Sequence, residues 1–259
     1  MTVPTDEPAV LVEHVGAVAT VRINRPARRN ALRAGDAALL AETLAGVTDD
    51  ANVRVVILGG VDGWLCAGGD LAEDVADGPS AADRRLGQFQ RLLGVVLELS
   101  VPVVVVFEGA AVGAGAALAL AGDVCIAAPG ARLILPWVPR GMVPDMGVAF
   151  LLARQLGPSR AKRLLFAGES ITAGDAEQHG LVTAVSDDPW GTAHTWAQRL
   201  ATGPRFALTL TKRLVNAASF GSLDDYLALE RSSMAAALGT NEPAEGIAAF
   251  IARRDPVFE

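Results

Sequence analysis

The N-terminal segment alternates apolar and polar positions with a period of two, which is typical of β-strands. Two such runs lie within Val10–Ile23, and Gly16 separates them at a position suited to a tight turn. The pattern therefore predicts a β-hairpin.

Further along the chain, helical and strand patterns alternate. Apolar residues recur at helical spacing in Asp36–Val47 and Leu86–Leu99, whereas Val53–Leu58 and Val103–Phe107 are short runs of β-forming residues. The pair Gly59-Gly60 is expected to end the first of these runs. The second run is so uniformly apolar that it predicts a strand buried on both faces. This alternation favours an α/β fold with a parallel sheet and crossover helices.

After Pro158 helical patterns dominate, and about the last sixty residues are expected to be entirely helical. Alanine and leucine stripes on such a tail pack either on another subunit or, as a lid, on the protein's own core. We favour the first and divide the chain into a core at 1–200 and a helical oligomerisation region at 201–259. The predicted helices are Ser159–Phe166, Ala173–His179, Thr192–Ala201, Pro204–Ser219, Leu223–Leu238 and Pro243–Arg254.

Charge and composition exclude several classes of protein. A net charge of −7 argues against a general binder of nucleic acid or anionic membranes, which needs a basic surface. Cys66 and Cys125 stand in no metal-binding or disulfide pattern, which fits a reducing cytoplasm. The first residues lack the layout of a secretory signal, so export by that route is not expected. Several glycines and Glu108 interrupt the apolar segment 101–122, so no membrane span is expected. The small and polar residues of 72–82 predict an unpacked, mobile loop.

Five arginines lie within twelve positions near the N-terminus. In an acidic protein this concentration predicts a phosphate-binding site, because guanidinium groups pair with phosphate oxygens through two hydrogen bonds. The alternative is a solvated arginine face without a ligand. The five residues are Arg22, Arg25, Arg28, Arg29 and Arg33.

Glycine-rich segments follow two of the predicted strands. They are Leu65–Leu71 and Glu108–Gly115, and the second opens a helix. Small residues allow the backbone to approach a ligand closely, and amides at a helix N-terminus attract negative charge. Together the two segments can place two N–H donors around one developing oxyanion.

Two other functional classes fit the sequence poorly. The start of a dinucleotide-binding motif is present at Gly113 and Gly115, but Leu118 stands where its third glycine or alanine belongs. A serine hydrolase is not indicated, because the chain lacks a GxSxG motif and its histidines have no evident partner.

Three ordered motifs give the chain a resemblance to the enoyl-CoA hydratase/isomerase, or crotonase, family. Asn24–Leu32 resembles NRPxxxNAL, Cys66–Leu71 resembles CAGxDL, and Val101–Gly115 resembles PVxAxxxGxxxGxG. The resemblance covers nearly the whole chain. It implies a spiral of ββα turns with a helical C-terminal trimerisation region. The implied ligand is an acyl-CoA thioester, and neither a metal nor a redox cofactor is implied.

The resemblance also assigns site residues. The N–H groups of Gly69 and Ala114 match the family's two oxyanion-hole donors. The second donor is usually a glycine, so the methyl group of Ala114 raises a question of backbone angle and clearance. Positions that match CoA contacts are Ala27, Arg28, Ala67, Leu71, Phe250 and Arg253.

The chain departs from the family where typical hydratases carry two glutamates. Ala117 and Trp137 stand at the matching positions, and neither side chain can move a proton. Efficient hydration is therefore not expected. Trp137 is either a core or interface residue or, facing the acyl group, a side chain that narrows the pocket or stacks on a flat acyl chain.

Asp145 lies in a segment that resembles the GLVPDxG form of epoxyphenylacetyl-CoA isomerase-like members. One carboxylate is sufficient to shift a proton between two carbons of a thioester-stabilised dienolate. The alternative is that Asp145 caps a helix beginning near Met146. A dehalogenase branch uses an aspartate here together with a histidine, but Gln90 stands at the histidine position.

The favoured interpretation is an acyl-CoA-binding enzyme that shifts a double bond, with Asp145 as acid/base. We expect a cytoplasmic homotrimer or dimer of trimers. Two alternatives remain open: a hydratase that uses a different acid, Glu73 being the first candidate, and a CoA-binding or assembly protein without activity.

Overall fold

The protein is described by a computed structural model that covers residues 8–71, 78–220, 223–240 and 242–254. Strands and helices alternate in the first half of the chain, and helices predominate in the second half. The strands are β1 Val10–Val15, β2 Val18–Ile23, β3 Val55–Gly60, β4 Val103–Phe107, β5 Ala110–Val112, β6 Val124–Ala127, β7 Arg132–Ile134, β8 Ser170–Thr172 and β9 Ala184–Val185. The helices are α1 Ala34–Val47, α2 Gly78–Glu98, α3 Ala114–Ala121, α4 Val148–Leu156, α5 Pro158–Ala167, α6 Ala173–Gln178, α7 Pro189–Ala201, α8 Arg205–Phe220, α9 Leu223–Leu238 and α10 Glu242–Ala252.

The main sheet has the strand order β1-β2-β3-β4-β6-β9. The first two strands form the predicted antiparallel hairpin, with Gly16 at its turn in the left-handed region (φ +59°). The other neighbours in this sheet pair in parallel, as the alternation of patterns predicts. A smaller sheet of order β5-β7-β8 lies beside it.

Strand β4 is buried on both faces, which confirms the expectation from its sequence. Val103 and Val105 pack into the larger core cluster, which contains side chains of α1, α2, α3 and α4. Val104 and Val106 pack into a smaller cluster beneath α7. Helices therefore cover both faces of the main sheet, and the ends of its strands stay open for a site.

Two boundaries differ from the prediction. Strand β3 is Val55–Gly60, so it starts two residues later than expected and ends with the glycine pair itself. An added Cβ at Gly59 would lie 2.6 Å from the Trp190 ring, and one at Gly60 would collide with the Trp64 carbonyl, so both positions require glycine. Helix α2 begins at Gly78, so residues 78–82 are helical and not part of a loop. The rest of that predicted loop, 72–77, lies outside the described residues.

The C-terminal region is helical, as predicted, and it packs back onto the core. Helix α9 contacts α2, and α10 contacts the short turn at Val138–Arg140. Helix α8 is anchored by the buried ammonium of Lys212, which donates to Asp123 at 2.8 Å and to the Val96 carbonyl at 3.1 Å. Phe206 and Leu214 of α8 remain exposed. The division at residue 200 stays a prediction. Among the described helices, none is both long enough and apolar enough to cross a membrane.

Candidate active site

A cavity of about 350 Å³ opens where the loops after β3 and β5 meet. Its walls come from these loops, from α2, from the segment 136–145 and from helices α9 and α10. It gathers residues from distant parts of the chain, including most of those assigned from the sequence. The assigned residues that line it are Arg28, Ala67, Gly69, Leu71, Ala114, Trp137, Asp145 and Phe250.

In the loop after β3, Gly69 is the residue whose amide remains available to a ligand. The amides of Ala67, Gly68 and Asp70 each donate to a neighbouring group of the protein. Within the described residues, Gly69 N–H donates to no protein group. Since Gly69 lines the cavity, this amide can serve as the first oxyanion donor.

The second donor lies at the start of α3. The left-handed backbone angle falls on Gly113 (φ +55°), so Ala114 is an ordinary first residue of the helix. This removes the doubt over its backbone angle. Its N–H has no acceptor inside the helix and stands at the positive end of the helix dipole.

The two donor loops touch each other through their backbones. Val112 N–H donates to the Cys66 carbonyl at 2.9 Å, and Gly113 approaches Gly68 so closely that an added Cβ would lie 3.7 Å from its Cα. At Gly115 an added Cβ would collide with the same Cys66 carbonyl. Gly115 is thus needed for the close approach of the loops, whereas Gly68 and Gly113 are favoured by their positive φ angles of +99° and +55°.

Asp145 is the acidic residue available for proton transfer. Its half-buried carboxyl group accepts a hydrogen bond of 3.1 Å from Trp137 Nε1. Burial raises the pKa of Asp145 to about 6, while the charge of Arg85 and the hydrogen bond from Trp137 lower it. The other acid of the cavity wall, Asp70, forms an ion pair with Arg25 at 3.1 Å.

The interpretation of Asp145 as a helix cap is wrong. Helix α4 begins at Val148, its N-cap residue is Gly147, and no side chain caps it. The glycine lies in the left-handed region (φ +68°), which turns the chain into the helix two residues after Asp145. The carboxyl group is therefore held by Trp137 at the cavity wall and not by helix amides.

The two positions without the usual glutamates have different surroundings. Ala117 is completely buried in the core and does not line the cavity. Trp137 does line it, and only 4% of the residue is exposed. A Cβ on Gly113 would lie 3.8 Å from the indole ring, so this side chain spans the distance from the second donor loop to Asp145.

The sequence did not reveal several residues of the cavity wall. Arg85 and Phe89 lie one helical turn apart on α2, and this shared face was the available signal. Met234 comes from α9, and Arg140 lies with its guanidinium 4.2 Å from the centre of the Phe250 ring. Burial lowers the pKa of Arg140.

The arginine cluster is mostly structural. Arg25 pairs with Asp36 at 3.3 Å as well as with Asp70, and Arg33 pairs with Asp36 at 2.9 Å. Arg22 lies over the Trp190 ring and Arg29 over the Trp64 ring. Of the five arginines, Arg28 alone lines the cavity. Four of the five arginines thus have partners within the protein, and Arg28 is the candidate at the cavity, where a phosphate site stays a prediction.

Three residues assigned from the sequence stay outside the cavity wall, namely Ala117, described above, Ala27 and Arg253. Ala27 is exposed beside Arg28, and Arg253 is exposed just after α10 with a φ of +54°. Gln90 is buried and donates to the Leu227 carbonyl at 3.2 Å, which ties α2 to α9. The alternative acid Glu73 lies outside the described residues.

Fold and site together define an α/β protein whose cavity gathers two loops with available backbone amides and one partly buried carboxyl group. Residues 13–259 match the family model described as enoyl-CoA hydratase/isomerase, and the chain belongs to this family. The resemblance found in the motifs is thereby confirmed.

Known relatives cover almost the whole chain. The 1,2-epoxyphenylacetyl-CoA isomerase of Escherichia coli strain K12 is 37% identical over 248 residues, which are 93% of this chain and 94% of that protein. The 2,3-dehydroadipyl-CoA hydratase of the same strain is 33% identical over 255 residues, 96% and 98% of the two chains.

A solved structure confirms the fold. The crystal structure of an enoyl-CoA hydratase from Mycobacterium avium subsp. paratuberculosis K-10 has a TM-score of 0.89 and 31% identity, and covers 97% of this chain and 99% of that one. The protein therefore has the crotonase fold with a helical C-terminal region.

Proposed function

We propose that the protein shifts a double bond in an enoyl-CoA, with Asp145 as the group that carries the proton. The observation that supports this most strongly is the cavity itself, where one carboxyl group with a pKa near 6 stands by the loops that hold two amide donors. A pKa close to neutral suits a group that must accept and return a proton.

The proposed reaction needs no metal or redox cofactor. Asp145 removes a proton from C2 of a 3-enoyl thioester, and the electron pair moves toward the thioester oxygen as a dienolate forms. The N–H groups of Gly69 and Ala114 stabilise the negative charge on that oxygen. Asp145 then returns the proton to C4, and the double bond lies between C2 and C3. Arg28 at the cavity wall is proposed to hold a phosphate of CoA.

A hydratase is the second candidate, because the relatives include proteins named as hydratases. Hydration needs a group that activates water as well as proton delivery to carbon, and the described cavity wall offers Asp145 alone beyond the paired Asp70. The geometry therefore favours isomerisation.

A panel of 2-enoyl, 3-enoyl and aromatic acyl-CoAs, scored separately for hydration and double-bond migration, tests this choice. We expect migration to be faster than hydration of a short 2-enoyl-CoA. A faster hydration would contradict the assignment and require a second acid. Acyl-CoA binding without any turnover would favour a CoA-binding or assembly protein.

We also propose a homotrimer or a dimer of trimers, supported by the exposed apolar residues Phe206, Leu210 and Leu214 along one side of α8. The molar mass in solution, measured by light scattering, tests this assembly. A monomer at micromolar concentration would contradict it.

A further inference from the structure

Cys66 lies where the two donor loops meet, and the proposed reaction gives its side chain no role. The residue is completely buried. Its backbone pairs with Ala111 in an isolated parallel bridge, and its carbonyl accepts the hydrogen bond from Val112 N–H. Its main chain thus connects the loop of the first donor with the loop of the second.

The side chain of Cys66 contacts the residue just before the first donor. Sγ accepts a hydrogen bond of 3.3 Å from Gly68 N–H and lies 3.5 Å from the Gly68 carbonyl oxygen. That carbonyl also accepts from Leu32 N–H at 2.9 Å. Gly68 has a φ of +99°, which glycine can adopt without steric cost, and these contacts select that conformation.

The orientation of Gly68 determines the direction of the first donor. The Gly68 C=O and the Gly69 N–H belong to one planar trans peptide, so they point in opposite directions. Contacts that hold the carbonyl toward Leu32 and Cys66 therefore aim the Gly69 N–H away from them. Burial raises the pKa of the Cys66 thiol to about 12, so it stays protonated and can donate S–H as well as accept.

We propose that Cys66 is a positioning residue for the oxyanion hole: its thiol holds the Gly68 peptide so that Gly69 N–H is aimed at the thioester oxygen. The proposal rests on the proposed function only for the identity of the reaction. It predicts that loss of the Cys66 thiol reduces polarisation of the thioester carbonyl, and hence kcat, without a matching loss of affinity for the acyl-CoA.

The probe is a saturated acyl-CoA with a ¹³C-labelled thioester carbonyl, whose stretching frequency falls when N–H donors polarise it. We expect the wild type to lower this frequency and Cys66→Ala to lower it less, at nearly unchanged Kd. Cys66→Ser should restore the wild-type shift, because a hydroxyl group both donates and accepts. On a substrate that is turned over, Cys66→Ala should reduce kcat about tenfold, less than the ~10²–10³ lost when an oxyanion donor is removed.

Cys125 provides a matched control, because it is also buried, at 3% exposure, and burial raises its thiol pKa to about 12 as well. It lies in β6 and does not line the cavity. Cys125→Ala should keep the full carbonyl shift even if it lowers stability. If Cys66→Ala does not fold, Cys66→Val, which fills the site with a slightly larger apolar side chain and removes the hydrogen bonds, replaces it.

A wild-type carbonyl shift in Cys66→Ala, or in Cys66→Val, would overturn the proposal. Equal losses in the Cys66 and Cys125 variants would also overturn it, because they would show a general packing effect. If the wild type polarises the carbonyl but turns over no substrate of the panel, the proposed function fails while the role of Cys66 stands. Absence of any shift in the wild type would overturn both.

Discussion

Trp137 donates its indole N–H to Oδ1 of Asp145 at 3.1 Å, and so the residue that replaces a family glutamate holds the acid that remains. The bond favours the ionised carboxylate, whereas burial favours the neutral acid. It also fixes one carboxylate oxygen, Oδ1, by a hydrogen bond. In the proposed reaction, a side chain unable to transfer a proton thus orients the neighbour that transfers it.

Replacement of Asp145 by asparagine should abolish most turnover. The amide still accepts the hydrogen bond from Trp137, but it cannot take a proton from carbon. We expect kcat to fall by about 10²- to 10⁴-fold, the usual contribution of a positioned acid/base group, while acyl-CoA affinity changes little. Near-normal isomerisation by Asp145→Asn would show that another group carries the proton.

The same variant has an expected effect on stability. The pKa of Asp145 is about 6 in the folded protein, above its unfolded value of 3.8. As pH rises from 3.8 toward 6, the carboxyl group ionises in the unfolded chain but stays protonated in the native state, so the free energy of unfolding falls. Asp145→Asn should therefore be as stable as the wild type in acid and more stable at neutral pH, by at most about 3 kcal/mol. Urea unfolding at a series of pH values measures this difference; a variant destabilised at neutral pH would contradict it.

The pH dependence of kcat/KM should report the ionisation of Asp145. Because the base form starts the reaction, the rate should fall as pH drops through about 6. The Trp137 hydrogen bond lowers this pKa, so Trp137→Phe should move the inflection to higher pH. An unchanged inflection in the variant would mean that the indole does not influence the acid.

Arg28 should contribute to CoA binding in a salt-dependent manner. Arg28→Ala is expected to weaken the binding of acyl-CoA, and added salt should reduce the difference from the wild type because it screens the charge. Calorimetry across a salt series measures this. Arg22→Ala is the control, since Arg22 pairs with Glu13 and lies over Trp190. Equal affinities for Arg28→Ala and the wild type would show that Arg28 is a solvated surface residue without a role in CoA binding.

Arg25 should stabilise the folded protein. Its guanidinium joins Asp36 and Asp70, whose side chains are only 6% and 13% exposed, so Arg25→Ala leaves buried carboxylates without this partner. The free energy of unfolding should fall by on the order of 3 kcal/mol. Arg33→Ala is the matched control: its side chain is 53% exposed, and loss of its pair with Asp36 should cost at most about 1 kcal/mol. Equal losses would show that burial does not distinguish the two pairs.

Gly246 allows α10 to close one wall of the cavity. An added Cβ would collide with the Arg140 backbone, so Gly246→Ala should displace α10 and weaken acyl-CoA binding. The control is Gly46→Ala on α1, where an added Cβ meets nothing within 4 Å. That variant should bind normally and be more stable by up to about 1 kcal/mol. Unchanged binding by Gly246→Ala would show that α10 does not shape the site.

The sequence was informative about the donor loops and uninformative about the helical walls. Gly69 and Ala114 follow strands, and parallel strands that pair as β3 and β4 do bring their carboxyl ends to the same edge. Helical spacing places Arg85 and Phe89 on one face of α2, but which face meets the cavity depends on how the helix docks, so spacing alone did not assign this face to the site.

Glycines illustrate the same limit. Gly59 and Gly60 were expected to end a strand, as isolated glycine pairs often do. They are the last two residues of β3, and Trp190 and the Trp64 backbone occupy the space that side chains at these positions would need. Such contacts join residues far apart in the sequence, and no local pattern contains them.

The wall formed by Phe250 and Ile251 also bears on how the enzyme is made. These residues follow Asp145 by about a hundred positions. At a synthesis rate of about 5–20 residues per second, Asp145 is therefore made roughly 5 to 20 seconds before these residues, and the loops of Gly69 and Ala114 are made earlier still. The nascent chain therefore carries one open half of the cavity before the helix that completes the cavity wall has been made.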